Sequence, residues 1–212
     1  MGQGRAVAIL DYGAGNLRSV TKAVLRLGYL ALVTADPRAV QGAGAVIFPG
    51  VGAAADTMAN LRQRGLVEPI REFIASGRPF LGVCMGLQAL LTGSQEGGWE
   101  PCLDIVPGAV KRLPGGRKVP HMGWNQVRQV RAHPVFQGIH QGADFYFVHS
   151  YYTEPIDPEV VAARTEYGVD FCSVLIRDNL VATQFHPEKS GEGGLLFYEN
   201  FLRWSALSKA GG

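Results

Sequence analysis

Several features that define other classes of protein are scarce in this sequence. Its three cysteines, Cys84, Cys102 and Cys172, form no C-x-x-C pair and leave an odd one over. This pattern argues against a disulfide framework or a zinc site and favours a reducing compartment. No apolar run approaches membrane-spanning length, and no charged segment precedes an apolar one, so we expect a cytoplasmic protein.

The sequence also has little excess of either sign of charge. The formal net charge is +2 and the basic residues are scattered, so nucleic acid is a poor candidate for the partner. The 212 residues, 47% of them hydrophobic and 18% charged, suffice for one large globular domain with a substantial core. Because no repeat, low-complexity tract or linker interrupts the chain, we expect a single domain over residues 1–212.

Apolar, strand-like stretches alternate with helical patterns in the first half of the chain. The strand-like stretches are residues 6–10, 29–33, 45–48 and 80–83, and the helical patterns cover 17–27, 57–61 and 67–75. This alternation predicts an α/β fold with an open, mainly parallel twisted sheet flanked by helices. Ligands bind such sheets at the carboxyl ends of the strands.

The second half of the chain has a different pattern of predicted secondary structure. Short strand-like stretches cover residues 106–113, 119–127, 145–148, 160–164, 173–176 and 180–185, with a hairpin-type turn at Asp178-Asn179. A closing helix is predicted over residues 193–207. We therefore expect additional antiparallel strands in the second half, attached to the parallel sheet.

Cys84 lies between Gly82 and Gly86, where an apolar strand meets an apolar helix. This arrangement is typical of a nucleophile elbow, a sharp turn that presents one reactive side chain at the top of a sheet. A Cβ at either glycine would crowd the turn, and the helix after Cys84 favours thiolate over thiol. A lone cysteine in an apolar run is more often a small buried hydrophobe, so this motif alone leaves both interpretations open.

Gln184-Phe185-His186-Pro187-Glu188 supplies what a thiol nucleophile needs. A base must accept the thiol proton, and a third group must orient that base. His186 and Glu188 are placed at the carboxyl end of a predicted strand, and Pro187 restricts the conformation of His186. Glu188 can hold one imidazole nitrogen and leave the other for Cys84. Alone, the segment would be a surface loop; with the elbow, it predicts a catalytic triad.

The Pro49-Gly50-Val51-Gly52 segment, called here the 49–52 turn, follows another predicted strand. No Gly-Lys-Ser/Thr follows it, so it is not a Walker loop. The backbone N–H groups of Val51 and Gly52 can instead face a developing oxyanion, with the N–H of Met85 as a further donor. By itself such a turn is most often only a tight turn.

The remaining histidines show no metal-site spacing. His133 and His140 lie in polar loops and are expected to be solvated. His121 and His149 lie beside apolar strands and are expected to be packing or pocket residues. Cys102 and Cys172 have no elbow context and are expected to be structural thiols.

The chain resembles the class I, triad-type glutamine amidotransferases. Two segments carry this resemblance: Gly-Val-Cys-Met-Gly-Leu-Gln around Cys84 and the downstream Gln-Phe-His-Pro-Glu. In finer detail the chain is similar to the glutaminase subunits of imidazole glycerol phosphate synthase, from histidine biosynthesis. The segments that carry this finer similarity are Asp11-Tyr12-Gly13-Ala14-Gly15-Asn16, the 49–52 turn, Pro120-His121-Met122-Gly123-Trp124-Asn125, His149-Ser150-Tyr151-Tyr152 and His186-Pro187-Glu188-Lys189-Ser190-Gly191. The resemblance to this family extends from residue 6 to about residue 203.

The resemblance implies a mechanism and a substrate. Cys84 would attack the side-chain amide of glutamine, His186 would move the proton, and Glu188 would orient His186. A glutamyl thioester would then be hydrolysed to glutamate, with no metal or organic cofactor. The residues implied to hold glutamine are Gly50, Gly52, Gln88, Ser150 and Tyr151, with Glu96 meeting the ammonium group.

The resemblance also implies a partner. Glutaminases of this family dock on a separate cyclase subunit, a β/α barrel, which receives the ammonia; the two form a heterodimer. The positions matching this interface are Asn16, Pro120, Met122, Trp124, Tyr146 and Lys189, although Trp124 could instead be a core residue. Docking is expected to reorient the 49–52 turn, so we expect very low glutaminase activity in the isolated chain.

Three alternatives remain at this point. A glutaminase of another pathway, such as pyridoxal phosphate synthesis, would keep Cys84 and His186 but should lack the Pro120-His121-Met122-Gly123-Trp124-Asn125 segment in this form. A cysteine hydrolase or peptidase usually takes its third triad member from elsewhere in the chain. A catalytically silent activating module would have no need of an intact triad.

Overall fold

Strands and helices alternate along the first half of the chain, as its apolar periodicity predicts. A computed structural model describes residues 6–13 and 15–207, with side chains described as far as Trp204; Ala14, in the glycine-rich segment after the first strand, lies outside them. The elements are β1 (Val7–Leu10), α1 (Leu17–Arg26), β2 (Ala31–Thr34), α2 (Pro37–Gly42), β3 (Ala45–Phe48), α3 (Ala54–Gln63), α4 (Val67–Ala75), β4 (Phe80–Val83) and α5 (Met85–Gln88).

The second half consists mainly of strands and ends in a long helix. Its elements are β5 (Leu91–Ser94), β6 (Glu100–Pro101), β7 (Val106–Arg112), β8 (His121–Gln129), β9 (Ala143–His149), β10 (Tyr151–Pro155), β11 (Val161–Glu166), β12 (Asp170–Arg177), β13 (Leu180–Thr183) and α6 (Gly191–Leu207). Short 3₁₀ turns cover Pro134–Phe136, Pro158–Val160 and Pro187–Lys189.

The thirteen strands of the described residues join into one hydrogen-bonded sheet. Its main path runs β2-β1-β3-β4-β13-β12-β10-β7-β5-β6, and β11, β8 and β9 extend it to one side. The pairs from β2 to β13 are parallel, whereas β12 pairs in an antiparallel way with β13, β10 and β11. This confirms the expected fold class: an open α/β sheet whose second half adds antiparallel strands.

Apolar side chains cover both faces of the parallel strands. In β1, Ala8 and Leu10 face a core built with α2, α3 and α4, while Val7 and Ile9 face a second core that includes α1 and α6. Successive strand residues point to opposite faces, so a strand buried on both faces must be apolar throughout. That requirement explains the continuous apolar run that marks β1 in the sequence.

Several elements differ from the sequence-based expectations. The short elements α2, β5, β6 and β10 were not predicted; α2 has only six residues and begins where the Asp36 side chain accepts a hydrogen bond from the N–H of Arg38 (2.9 Å). The closing helix begins at Gly191 rather than at residue 193. Among the helices of the described residues, none has the length and apolarity needed to cross a membrane.

Close packing at the start of α6 leads to a first prediction. An ideal Cβ on Gly194 would lie 1.9 Å from the carbonyl oxygen of Pro187, so Gly194→Ala must displace backbone. We expect Gly194→Ala to lower the free energy of unfolding by about 1–3 kcal/mol, measured by urea denaturation.

Gly193→Ala is the matched control. A Cβ on Gly193 would meet only the Phe145 ring, at 3.9 Å, and alanine favours a helix over glycine by roughly 0.5–1 kcal/mol. This variant should be neutral or slightly stabilised. Equal destabilisation of the two variants would contradict the packing argument.

Candidate active site

Cys84 occupies a strained turn between β4 and α5. Its φ is 53° and its ψ is −103°, a conformation that non-glycine residues rarely adopt. The N–H of Cys84 donates to the carbonyl oxygen of Thr183 (2.7 Å), and its carbonyl oxygen accepts from the N–H of Gln88 (3.1 Å). The backbone of Cys84 is therefore held by β13 on one side and by α5 on the other, which is the geometry of a nucleophile elbow.

Glycines allow the surrounding backbone to close on this elbow. An ideal Cβ on Gly86 would lie 2.0 Å from the carbonyl oxygen of Phe48, and one on Gly82 would lie 2.9 Å from the carbonyl oxygen of Gly86. On Gly50, a Cβ would come within 2.5 Å of the Met85 Cβ. The 49–52 turn thus packs directly against the start of α5, as predicted from the strand ends.

The predicted base and its orienting carboxylate meet as the sequence indicates. His186 follows β13, which pairs in parallel with β4, so both strands end at the same edge of the sheet. His186 Nδ1 lies 2.9 Å from Glu188 Oε1, and both side chains are buried. Tyr198 donates a further hydrogen bond to Glu188 Oε2 (3.4 Å).

The electrostatic surroundings favour a charged His186. Burial alone would lower the pKa of His186, but Cys84 and Glu188 outweigh burial and raise this pKa to about 10. Among the described residues, buried His186 Nε2 has no hydrogen-bond partner.

The sulfur of Cys84 contacts groups that the sequence did not single out. Gln184 Nε2 lies 3.6 Å from Sγ, and the carbonyl oxygen of Val148 lies 4.0 Å from it. Gln184 is fully buried. A buried polar residue directly after an apolar strand was the available signal for Gln184, since such a group must find a partner inside the fold.

A pocket of about 250 Å³ opens beside the sulfur. It contains the predicted oxyanion residues Val51, Gly52 and Met85 and five of the six predicted substrate residues, with Gly52 belonging to both sets. Its lining consists of Val51, Gly52, Cys84, Met85, Gln88, Glu96, Pro120, Val148, His149, Ser150 and Tyr151. Of the predicted substrate residues, Gly50 alone lies behind this lining, against Met85.

Two polar side chains in this pocket are already held in place. Gln88 Nε2 donates to the carbonyl oxygen of Tyr151 (3.0 Å) and to Gln184 Oε1 (3.1 Å). Glu96 Oε2 accepts from the N–H of Ala54 (2.8 Å), at the start of α3. A helix N-terminus favours a carboxylate, so this contact fixes a negative charge in the pocket wall.

A larger cavity, of about 450 Å³, lies on the far side of Glu188. Residues of α1 and α6, including Lys22, Arg26 and Glu192, line it together with Glu188, and Cys84 does not. The smaller pocket is therefore the candidate active site, because Cys84, the predicted nucleophile, lines it.

Three of the predicted interface residues, Trp124, Tyr146 and Lys189, contact one another near His186. Trp124 is 57% exposed and Met122 is 62% exposed, so Trp124 is not a core residue. The Trp124 ring packs edge-on against Tyr146 (6.1 Å between centroids), and Lys189 Nζ lies 5.8 Å from the Tyr146 ring. Pro120 lines the pocket instead, and Asn16 precedes α1.

The other histidines and cysteines differ in part from expectation. His133 is not simply solvated, since it is half-buried, accepts from the N–H of Val135 (3.3 Å) and contacts the Trp204 ring. His140 is exposed, as expected, whereas His121 and His149 are buried and hydrogen-bonded to each other. Cys102 and Cys172 are buried free thiols that do not line the pocket.

A family model described as glutamine amidotransferase class-I matches residues 8–203. The chain belongs to the class-I glutamine amidotransferase family. Its activity is accordingly that of a glutamine amidotransferase, and the open sheet that carries Cys84 is the fold expected for such an enzyme.

Curated relatives narrow the similarity within this family. The imidazole glycerol phosphate synthase subunit HisH of Dehalococcoides mccartyi (strain CBDB1) is 54% identical over 203 residues, covering 96% of this chain and 99% of the relative. The HisH subunit of Moorella thermoacetica (strain ATCC 39073 / JCM 9320) is 57% identical over 197 residues, covering 93% and 94% of the two chains. A solved crystal structure of a glutamine amidotransferase shares the fold, with a TM-score of 0.75 at 22% identity over 95% of this chain and 99% of that one.

The contact between His186 and Glu188 predicts how a charge-neutral variant titrates. Glu188→Gln removes the carboxylate that, after Cys84, helps to raise the pKa of His186, so we expect this pKa to fall below about 10. A nitrogen-15 NMR titration of the imidazole measures it. Glu192→Gln, an exposed carboxamide substitution four residues away, should leave the pKa of His186 unchanged.

The raised pKa of His186 also makes the free energy of unfolding depend on pH. Because the pKa of His186 is raised on folding, its stabilising contribution is fully present below pH 6.5 and is lost as the pH rises toward about 10. Glu188→Gln should therefore flatten the decrease in unfolding free energy over this window. An unchanged pKa of His186 in Glu188→Gln would mean that Glu188 does not stabilise the imidazolium.

Proposed function

We infer that Cys84, His186 and Glu188 carry out the glutaminase reaction of this chain, which is the glutaminase subunit of an imidazole glycerol phosphate synthase. The observation that carries this assignment is the buried His186–Glu188 pair beside a cysteine held at positive φ in a pocket. The similarity to HisH subunits favours this pathway over pyridoxal phosphate synthesis. An intact triad argues against a silent module.

The first half of the reaction is acyl transfer to sulfur. The thiolate of Cys84 attacks the side-chain amide carbon of glutamine, and the carbonyl oxygen gains negative charge. Backbone N–H groups of Met85 and of the 49–52 turn are the donors proposed for this oxyanion. His186 gives its Nε2 proton to the departing nitrogen, so the C–N bond breaks and ammonia leaves.

The second half returns the enzyme to its starting state. Neutral His186 accepts a proton from water, and the resulting hydroxide attacks the glutamyl thioester of Cys84. The C–S bond breaks, the thiolate re-forms opposite the imidazolium, and glutamate is released. Glu188 holds His186 Nδ1 throughout, which keeps Nε2 available for each proton transfer.

The pocket offers complementary groups for the rest of the substrate. Glu96 is placed to meet the α-ammonium group of glutamine, because a carboxylate forms a charge-assisted hydrogen bond with a cation. Gln88, Ser150 and Tyr151 line the same pocket and supply further polar contacts. Gly50 acts indirectly, by letting the 49–52 turn approach Met85.

The ammonia is proposed to pass to a cyclase subunit with which this chain forms a heterodimer in the cytoplasm. Aromatic residues and methionine are frequent at protein interfaces. Trp124 is exposed and packs on half-buried Tyr146, which Lys189 also approaches, and Met122 is exposed two residues before Trp124. Pro120 lines the pocket and lies two residues before Met122, so the pocket and this surface adjoin along the chain. Asn16 is proposed to extend the same interface.

The chain is proposed to fold as a single domain. The sheet is continuous across both halves of the chain, with β4 pairing directly with β13. Cys84 comes from the first half and His186 from the second, so neither half contains a complete site.

Removal of the nucleophile tests the triad. Cys84→Ala should lower glutamine-dependent synthesis by the complete heterodimer by at least about 10³-fold, because no group remains to form the thioester. Synthesis from added ammonium should persist, since the cyclase then needs no glutaminase. A coupled assay for the imidazole product measures both.

Cys102→Ala is the matched control, because Cys102 is a buried thiol that does not line the pocket. It should retain glutamine-dependent synthesis. Retained glutamine-dependent synthesis in Cys84→Ala would rule out the triad, and rapid glutamine hydrolysis by the isolated chain would rule out activation by the partner.

The interface has its own test. Trp124→Ala should weaken cyclase binding by about 2 kcal/mol, roughly thirtyfold in Kd, measured by isothermal titration calorimetry. Trp99→Ala is the control, because Trp99 is 56% exposed against 57% for Trp124 but lies outside the proposed surface. Equal losses of affinity in the two variants would place the interface elsewhere.

A further inference from the structure

A chain of buried polar groups reaches the glutamine pocket from β8, and the proposed reaction steps do not use it. Asn125 Nδ2 lies 3.2 Å from His121 Nε2, and His121 Nδ1 lies 2.9 Å from His149 Nε2. His149 Nδ1 lies 2.8 Å from the carbonyl oxygen of Tyr151. Both His149 and Tyr151 line the pocket beside Cys84.

The two ends of this chain fix the direction of every hydrogen bond in it. The carbonyl oxygen of Tyr151 can only accept, so His149 Nδ1 must carry the proton and donate. At the other end, Asn125 Oδ1 accepts from the N–H of Gln126 (2.8 Å), so its Nδ2 group is the one facing His121 and must donate to Nε2. His121 Nδ1–H therefore donates to His149 Nε2.

Both rings consequently adopt the neutral Nδ1–H tautomer. Burial, reinforced by Arg117, lowers the pKa of His121 to about 4, and burial lowers the pKa of His149 to about 3. The His121 ring is also stacked between Tyr167 (3.9 Å) and Phe147 (4.9 Å), which restricts its rotation.

This chain of hydrogen bonds ends at the carbonyl oxygen of Tyr151, which also holds the Gln88 side chain in the pocket. The carbonyl oxygen of Tyr151 also accepts from Gln88 Nε2 (3.0 Å), whose second N–H donates to Gln184 Oε1 (3.1 Å). Gln184 Nε2 in turn lies 3.6 Å from Cys84 Sγ. The position of the Tyr151 carbonyl thus determines where the Gln88 amide lies in the substrate pocket.

We propose that His121 and His149 are positioning residues of the glutaminase site, forming a one-way hydrogen-bond relay that fixes the Tyr151 carbonyl and, through it, Gln88. Only the expected effect on KM for glutamine rests on the proposed function. The direction of the relay is a property of the folded chain alone, and the two parts are tested separately.

The first experiment uses nitrogen-15 NMR of the imidazole rings in the wild-type chain at pH 7. His121 and His149 should both show a neutral ring protonated on Nδ1. A proton on Nε2 of either ring, or a charged ring, would overturn the relay.

The second experiment measures glutamine kinetics of the heterodimer with two variants. His149→Phe keeps an aromatic ring but cannot donate to the Tyr151 carbonyl, so KM for glutamine should rise about tenfold with a smaller change in kcat. His149→Asn places an amide N–H near the position of Nδ1 and should restore KM to within about threefold of wild type.

Both variants are compared at equal folded fraction, checked by urea unfolding. An unchanged KM in folded His149→Phe, or equal losses in the two variants, would reduce His149 to a packing residue and overturn the proposal. If the wild-type heterodimer itself fails to hydrolyse glutamine, the proposed function fails while the NMR result on the relay still stands.

Discussion

Backbone crowding around Cys84 is the constraint on which the rest of the site depends. A cysteine at φ 53° stores strain of about 1–3 kcal/mol, and it persists because the surroundings leave it no alternative. The backbone next to Gly86 touches the end of β3, and Gly50 brings the 49–52 turn against Met85. The same close approach that strains the nucleophile also places the proposed oxyanion donors beside it.

The order of strands in the sheet brings the residues of the proposed triad together. Because β13 pairs in parallel with β4, the residues after each strand emerge at one edge, although about 100 residues separate Cys84 from Gln184 along the chain. The short turn after β13 is then fixed by Ser190, whose hydroxyl donates to the carbonyl oxygen of His186 (2.7 Å). Local turn geometry and long-range strand pairing are therefore both required for the pair of His186 and Glu188.

The sequence was informative where a local motif determined the outcome and less so where distant strands did. The elbow around Cys84 and the His186–Glu188 pair could be predicted from short segments, whereas for Trp124 the sequence left an interface position and a core position open. The contacts of Gln184 and the pairing of His121 with His149 could not be predicted, because they depend on the register between strands. The short strands β5 and β6, at one end of the sheet, were also missed, because segments of so few residues show no clear hydrophobic periodicity.

Tyr146 contacts both the exposed Trp124 ring and the backbone of His186. The carbonyl oxygen of Tyr146 accepts from the N–H of His186 (2.9 Å), while its own N–H donates to the Ser190 hydroxyl (3.0 Å). Its side chain meanwhile contacts Trp124 on the exposed surface. His186 Nε2 is buried without a hydrogen-bond partner among the described residues, a state that costs free energy until a partner atom arrives. One residue, Tyr146, therefore connects the exposed Trp124 ring to the backbone that holds His186 and Ser190.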